Sequence, residues 1–287
     1  MQELPNPMFA ISQLGARPAF WRAPPSTRLP APPTAVPEPV PAKAAGQGIT
    51  VSWARHQDDV RAAQRLRYEV FAGEMGARLS TTLEGHDIDL FDDFCEHLLV
   101  RDEESGQVIG TYRVLTPAQA RRIGSTYSDT EFDLTRLRDL RERMVELGRS
   151  CVHRDHRQGG VILALWGALA GFMHRNKLDT MIGCASIPMC HEGARNGDAA
   201  ASIWRQLSAT HMAPIQYQVQ PRLPLPVERL NRDLVVEPPA LIKGYLRLGA
   251  KVLGAPAWDP DFNTADLPML MRIDDLPPRY RKHFLGN

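Results

Sequence analysis

The fold is decided by the stretch from Val145 to Arg175, which reads VELGRSCVHRDHRQGGVILALWGALAGFMHR. A strand-like segment with one acid, Glu146, passes through a basic turn to Gly159 and Gly160, where an apolar helix begins. Glycines let the backbone approach a ligand closely, and the first amides of a helix are unpaired donors at the positive end of its dipole. The stretch therefore predicts a turn that binds an anion, with Glu146 near the chemistry that the anchored ligand undergoes.

The rest of the chain divides into a proline-rich tail and one domain. Eleven of the 24 prolines fall within the first 41 residues, so residues 1–48 are expected to be a disordered tail. The remaining residues, 49–287, can form one domain with a single core. Within it, the segment 186–238 is too long for a plain connection, and we expect it to be an insertion on the substrate side.

Hydrophobic periodicity predicts alternating strands and helices in this domain. A turn signature joins two strand-like runs into a hairpin, and a later strand, long helix and strand imply a parallel crossover. We therefore expect an α+β fold with a mixed, mostly antiparallel sheet, a central parallel crossover and flanking helices. The predicted strands are 49–54, 96–102, 107–115, 144–153, 180–185, 250–253 and 269–273, and the predicted helices are 58–71, 160–175, 199–212 and 241–248.

Composition argues against several classes of protein. A formal net charge of +1 is unlike the strongly basic face of a nucleic-acid-binding domain, so we expect no nucleic-acid partner. The longest apolar run, 161–173, is shorter than the ~20 residues of a membrane-spanning helix. The first 30 residues lack the pattern of a secretory signal, and the four cysteines form no CxxC pair. These features predict a cytoplasmic protein with reduced thiols.

Five motifs carry a resemblance to a known family. The turn before the central helix, with Arg157 and Gly160 in matching positions and Ile162 where a small residue is usual, resembles that of the GCN5-related N-acetyltransferase superfamily. Four further motifs, LRYEVFAGEMG (66–76), DIDLFDDFCEHLLV (87–100), GTYRVL (110–115) and ELGRSCV (146–152), resemble the acyl-homoserine lactone synthases. They resemble still more closely the ornithine N-alpha-acyltransferases that begin ornithine lipid synthesis.

The resemblance implies a donor and a partner. In both relatives the acyl group comes from acyl-acyl carrier protein, which implies an acyl carrier protein partner and a 4'-phosphopantetheine arm, with no cofactor bound by the chain itself. Eight basic residues against four acids between Arg195 and Lys251 would suit an acidic carrier, although scattered solvated charge is the plain alternative. The donor phosphate would be held by the basic turn and the helix start, at Arg154, Arg157, Gly159, Gly160, Val161 and Ile162.

Glu146 is the candidate general base. It stands in a strand of apolar and small residues, where burial would raise the pKa of its carboxyl. The alternative is an ion pair with Arg149, which would need a bulge at Gly148 to bring both side chains to one face. The match to the synthases favours a catalytic role for both Glu146 and Arg149.

An acidic run from Glu84 to Glu96 contains six acids and no lysine or arginine. Apolar residues alternate with these acids, so some carboxylates should lie against an apolar wall and could bind the side-chain ammonium of ornithine. A solvated loop is the ordinary alternative. The candidates for substrate binding are Asp89, Asp92 and Asp93, with Arg67 and Arg113, each of which could instead pair with the run.

Two other pairs of residues were weighed as chemical sites. His153 and His156 flank Asp155 but have no third ligand at a recognisable spacing, so we expect no metal. Cys190 and His191 could form a nucleophile and base, but a GCN5-like site transfers the acyl group directly, which disfavours a covalent intermediate.

The expected function is transfer of a (3-hydroxy)acyl group from acyl-acyl carrier protein to the α-amino group of L-ornithine, giving lyso-ornithine lipid. The alternatives are an acyl-homoserine lactone synthase and a non-catalytic acyl-carrier-binding module. Peripheral contact with the inner membrane, which receives the product, is left open.

Overall fold

A mixed sheet forms the centre of the molecule. The structure, a computed structural model, describes residues 48–157 and 160–285. The strands are β1 (Ile49–Trp53), β2 (Glu96–Asp102), β3 (Val108–Leu115), β4 (Phe132–Asp133), β5 (Met144–Val152), β6 (Thr180–Pro188), β7 (Gln220–Pro221), β8 (Lys251–Val252), β9 (Ala257–Asp259) and β10 (Thr264–Arg272). The helices are α1 (Gln57–Tyr68), α2 (Pro117–Ile123), α3 (Ser128–Glu131), α4 (Gly160–Arg175), α5 (Asp198–Thr210), α6 (Ala240–Arg247) and α7 (Pro278–Leu285).

The sheet has the order β1-β2-β3-β5-β6-β10-β8, with β9 also paired to β10. Its central pair, β5 and β6, is parallel, and the other neighbours are antiparallel. The two parallel strands are joined through α4, as expected for a crossover connection. The two-residue strands β4 and β7 form a separate antiparallel pair. The expected α+β fold with a mixed, mostly antiparallel sheet is confirmed.

Helices cover both faces of the first half of the sheet. Along β3, Ile109 belongs to the core cluster under α4, whereas Val108 contacts the cluster under α1, because successive side chains of a strand point to opposite faces. The helix α4 approaches β3 so closely that a Cβ at Gly110 would lie 2.4 Å from Val161 Cγ1. A glycine at this position is therefore required by the packing of helix on sheet.

The second half of the sheet has its own core. Apolar residues of α5 and α6, among them Ile203, Leu207 and Ile242, pack with buried residues of β6 and β10 such as Ile187 and Leu267. The helix α5 and the strand β7 both fall within the predicted insertion 186–238, and β7 pairs with β4 from an earlier part of the chain. This segment therefore supplies core to the sheet and is more than a surface loop.

Several boundaries differ from the predictions. After α1 ends at Tyr68, the chain continues as a π-helical segment, Glu69–Glu74, rather than ending at 71. The last long strand begins at Thr264, well before the predicted 269. The short strand β9 and the helices α2, α3 and α7 have no counterpart among the predicted elements. The expected tail over residues 1–48 lies outside the described residues except for Gly48.

Within residues 48–157 and 160–285, no helix combines the length and the apolar character needed to cross a bilayer.

Candidate active site

A cleft opens where the two parallel strands separate. β5 and β6 pair at only three positions, the last being Glu146 with Ile182, although both strands continue for six more residues. Just beyond that point, the backbone of Leu147 approaches Gly183 closely. A Cβ atom on residue 183 would lie 2.5 Å from the carbonyl oxygen of Leu147. A cavity of about 250 Å³ fills the space between the separated strands, and Glu146 lies on its wall. This cavity is the best-formed candidate for a ligand site in the described part of the chain.

Two backbone amides hold the carboxylate of Glu146. The side chain is 6% exposed, and it accepts hydrogen bonds from the N–H groups of Tyr127 (2.7 Å) and Ser128 (2.6 Å) at the start of α3. Burial raises the pKa of Glu146, and the bonds from Ser128 and Tyr127 limit the rise. A fixed carboxylate of raised pKa beside a cavity is suited to accept a proton.

Arg149 does not form the alternative ion pair with Glu146. The strand β5 bulges here, since Thr111 pairs with Cys151 and Arg113 with Gly148, so that two residues of β5 lie opposite one of β3. The ion-pair alternative required a bulge at Gly148, but the residue in the left-handed region is Arg149 itself, with φ of 49°, and its guanidinium pairs with Asp87 and Asp89. A long side chain in this region is uncommon and marks a position held by its surroundings.

The acidic run and the predicted arginines form one buried network. Arg67, which is fully buried, binds Asp87 through Nε (2.8 Å) and Asp92 through Nη2 (2.7 Å). Arg113 binds Asp89 (2.6 Å) and Asp92 (3.0 Å). Arg149 completes the network with bonds of 3.1 Å to Asp87 and 3.1 Å to Asp89.

The network contains equal numbers of positive and negative groups. Burial alone would raise the pKa of Asp92, but Arg67 and Arg113 hold it well below its ordinary value, and Arg113 and Arg149 do the same for Asp89. Three arginines therefore neutralise three aspartates. Arg67 and Arg113 are paired with the acidic run, which is the alternative to substrate binding given above. Asp93, the remaining predicted binding residue, is exposed and is not among the residues that line the cavity.

The basic turn before α4 also has a partner. The guanidinium of Arg157 binds Glu74 (2.8 Å) and donates to the carbonyl of Val152 (3.0 Å), and Arg154 lies 3.8 Å from Glu74. Both arginine side chains remain about half exposed, so an anion in solution can reach them.

The predicted helix start is observed in part. α4 begins at Gly160, Val161 is buried against the sheet, and Ile162 is half-buried. Gly159 lies outside the described residues. The first turn of α4 thus begins three residues after Arg157, and its free amides are the kind of donors that a phosphate site uses.

Two further carboxyl groups of the cavity were missed by sequence reasoning. Asp259 at the end of β9 and Asp266 in β10 line the cavity and are both buried. Burial, with Asp259 nearby, raises the pKa of Asp266 to about 6, although the Thr264 hydroxyl donates to it at 2.7 Å. Glu131 in α3 is close enough that burial, Asp266 and Asp259 together raise its pKa to about 7. The three acids lie in α3, β9 and β10 and come close together only in the folded protein, so no sequence pattern indicates the group.

Thiols in and near the site are poor nucleophiles. Cys190 is exposed and absent from the cavity lining, and His191 is hydrogen-bonded to the Glu237 carbonyl at 2.8 Å. Two other cysteines do line the cavity, but burial raises the pKa of Cys95 to about 12 and that of Cys184 well above its ordinary value. Since the thiolate is the reactive form, these thiols are inert at neutral pH.

Comparisons with known proteins agree with this fold. Residues 66–167 match the family described as "Acetyltransferase (GNAT) domain". The structure of a CoA-dependent acyl-homoserine lactone synthase with MTA has the same fold, with a TM-score of 0.50 and 15% identity, covering 83% of this chain and 89% of that chain.

Two curated relatives are similar along nearly their whole length. The L-ornithine N(alpha)-acyltransferase of Rhodobacter capsulatus is 35% identical over 251 residues, which cover 84% of this chain and 96% of the relative. The protein of the same name from Brucella abortus is 34% identical over 254 residues, covering 82% and 88%. The chain is an N-acyltransferase of the GNAT fold and belongs to the L-ornithine N(alpha)-acyltransferase family.

Proposed function

We propose that the protein transfers an acyl group from acyl-acyl carrier protein to the α-amino group of L-ornithine, and that the product is a lyso-ornithine lipid. The observation that carries the proposal is the cleft between β5 and β6 with the buried carboxylate of Glu146 at its vertex. The names of the relatives indicate that the acceptor is L-ornithine. The cleft between β5 and β6 can hold the thioester arm of the donor.

The donor enters from the basic turn. The half-exposed guanidinium groups of Arg154 and Arg157, with the first amides of α4, bind the phosphate of 4'-phosphopantetheine. The phosphate competes with Glu74 for both arginines, so donor binding frees this acid. The pantetheine arm then lies along β5 past its last pairing with β6, which brings the thioester carbonyl to Glu146. Fixed placement of the two reactants supplies much of the rate.

The acceptor amino acid binds on the other side of Glu146. Arg149 lines the cavity, and its guanidinium lies 5.0 Å from the centroid of Tyr127 and 4.7 Å from that of Phe262. We assign it the α-carboxylate of ornithine, because it is the most exposed of the three network arginines and its bonds to the aspartates are the longest. Arg67, which is not among the residues lining the cavity, keeps the acidic run in place.

The transfer is direct. Glu146, alone or through a water molecule, removes a proton from the α-ammonium, and the free amine attacks the thioester carbonyl. A backbone amide of the separated strand donates to the oxyanion, after which the C–S bond breaks and the amide forms. The thiolate of the carrier takes up a proton as it leaves. The raised pKa of the cavity thiols supports this route over an acyl-cysteine intermediate.

The test is an assay with purified full-length protein, 3-hydroxyacyl-acyl carrier protein and L-ornithine, followed by mass spectrometry. We expect N-acyl-ornithine from the wild type and a loss of about 10²–10⁴-fold in kcat for Glu146→Gln, the usual contribution of a general base. A matched control is Glu142→Gln, an exposed acid just before β5. Formation of an acyl-homoserine lactone from S-adenosylmethionine, with no acyl-ornithine, would overturn the proposal.

The pH profile gives a second readout on Glu146. Since burial raises its pKa, kcat should rise with pH through a value above the ~4.3 of an ordinary glutamate. This acid limb should be absent from the residual activity of Glu146→Gln, because glutamine does not titrate. A limb that persists unchanged in the variant would assign the base to another group.

A further inference from the structure

We propose that Asp266, assisted by Asp259, binds the side-chain ammonium of the acceptor amino acid and so selects a dibasic substrate. The inference rests on the proposed function, and it moves the ammonium site away from the acidic run. Every run carboxylate that approaches the cavity is already paired with arginine. The ammonium of a ligand gains little from such carboxylates, because their charge is already compensated.

Asp266 is a buried carboxyl that lacks a cationic partner. The residue is 3% exposed and lines the cavity. Its Oδ1 accepts the Thr264 hydroxyl, and in the described part of the chain no lysine, arginine or histidine lies within ion-pair distance of it. A buried ionised carboxyl is costly unless a positive charge compensates it. A ligand ammonium in the cavity would supply that charge.

The surroundings of Asp266 strengthen the attraction for a cation. Asp259 of β9 also lines the cavity, and Ser186 of β6 pairs with Asp266 in the sheet. Glu131 in α3 is close enough for Asp266 and Asp259 to raise its pKa. Arg149 on β5 is the positive group of the same wall, but its own bonds go to Asp87 and Asp89. The three acids therefore form a negative corner: burial and Asp259 raise the pKa of Asp266, and burial, Asp266 and Asp259 raise that of Glu131.

Tyr127 sets the spacing between the two ends of the substrate. Its ring lies against the guanidinium of Arg149, and its hydroxyl donates to Asp259 at 3.2 Å. The carboxylate site at Arg149 and the acidic corner are thus separated by about one tyrosine side chain. An amino acid that carries an ammonium at the end of a short methylene chain spans this separation.

A ligand ammonium fits the corner better than a metal ion does. Among residues 48–157 and 160–285, no group of three or more His, Cys, Asp or Glu side chains is arranged to hold a metal. An ammonium needs only hydrogen-bond acceptors and negative potential. Selectivity should be high, since a site built for a polar group rejects an analogue that lacks it by about 10⁴–10⁵-fold at best.

The experiment compares L-ornithine with L-norvaline, which has the same carbon chain without the side-chain amine. For the wild type, we expect kcat/KM to be at least about 10²-fold higher with ornithine. Asp266→Asn should lower kcat/KM for ornithine by about that factor and leave norvaline turnover within a few-fold. Norvaline turnover by the variant also shows that it is folded. The control is Asp274→Asn, an exposed acid in the turn after β10.

A pH series separates a binding role from a structural one. The preference for ornithine over norvaline should rise with pH through about 6 in the wild type, because Asp266 becomes negative there, and should be flat in Asp266→Asn. Equal losses for both amino acids in Asp266→Asn, or an unchanged preference, would overturn the inference. If the wild type acylates ornithine, either result leaves the proposed function intact, whereas a wild type that acylates no amino acid overturns the function itself.

Discussion

Two groups of carboxylates lie close to the cavity, and they differ in what surrounds them. The run from Asp87 to Asp92 is interleaved with Arg67, Arg113 and Arg149, so its charges are compensated within the fold. Asp259 and Asp266 line the cavity itself, and no described cationic side chain is paired with them. A dense acidic sequence is thus part of the scaffold, whereas two isolated acids hold the uncompensated charge.

The difference shows that the number of acids in a sequence does not indicate a cation site. What matters is whether each carboxylate in the folded protein has a cationic side chain beside it. Asp92 and Asp266 are both nearly fully buried, yet the pKa of one is held well below its ordinary value and that of the other is raised. Nearby arginines account for the first direction and nearby acids with burial for the second.

The largest effect is expected from Arg67→Ala. Removing this guanidinium leaves Asp87 and Asp92 buried without their principal counter-charge, which should cost about 3–5 kcal/mol of unfolding free energy. Equilibrium denaturation in urea measures the change. The matched control is Arg101→Ala, whose partly exposed pair with Asp59 should contribute at most about 1 kcal/mol. Similar losses for both variants would show that the network does not stabilise the fold as described.

A change of opposite sign is expected from Asp266→Asn at high pH. Because the folded-state pKa of Asp266 is raised to about 6, its ionisation destabilises the folded state as pH rises from about 4 through 6. The variant cannot ionise, so at pH 8 it should exceed the wild type by roughly 1–3 kcal/mol of unfolding free energy. At pH 4 the two should be nearly equal. Denaturation curves at both values test the sign, and a less stable variant at pH 8 would contradict the uncompensated state of Asp266.

The smallest effect is expected from Glu84→Gln. This acid begins the same run as Asp87, but its side chain is exposed, so its loss should change the unfolding free energy by no more than about 0.5 kcal/mol. The KM for ornithine should also stay the same. A large change in either quantity would mean that total charge of the run matters, instead of the pairing of its buried members.

The first half of the fold was predictable because its signals are local. The hairpin, β5 and α4 follow from turn residues and hydrophobic periodicity, and α4 runs over the predicted 160–175. Glu146 was predicted to be a buried acid for the same reason, because its neighbours in the strand are apolar or small. Its partners were not predictable, since Tyr127 and Ser128 belong to a four-residue helix with no periodic pattern.

The acidic corner around Asp266 was not predicted, for a different physical reason. The predicted strand covered only 269–273, so Asp266 lay outside it, whereas the observed strand begins at Thr264 and runs through Pro268. In the structure, the Pro268 carbonyl accepts from the Leu253 N–H, so its nitrogen faces the side of the short strands β8 and β9. Since β9 ends its pairing at Asp266 and β8 pairs from Met269, the missing N–H of Pro268 costs no ladder bond to β6.

Gly183 gives the cleft a fixed origin. Because the carbonyl of Leu147 occupies the space of a side chain there, the strands diverge directly after the residue that carries the base. An alanine at this position would force the two strands to shift, because its Cβ would lie 2.5 Å from that carbonyl oxygen. With the donor placed as proposed, the distance from the start of α4 to Gly183 would then set the length of the donor arm that the site accepts.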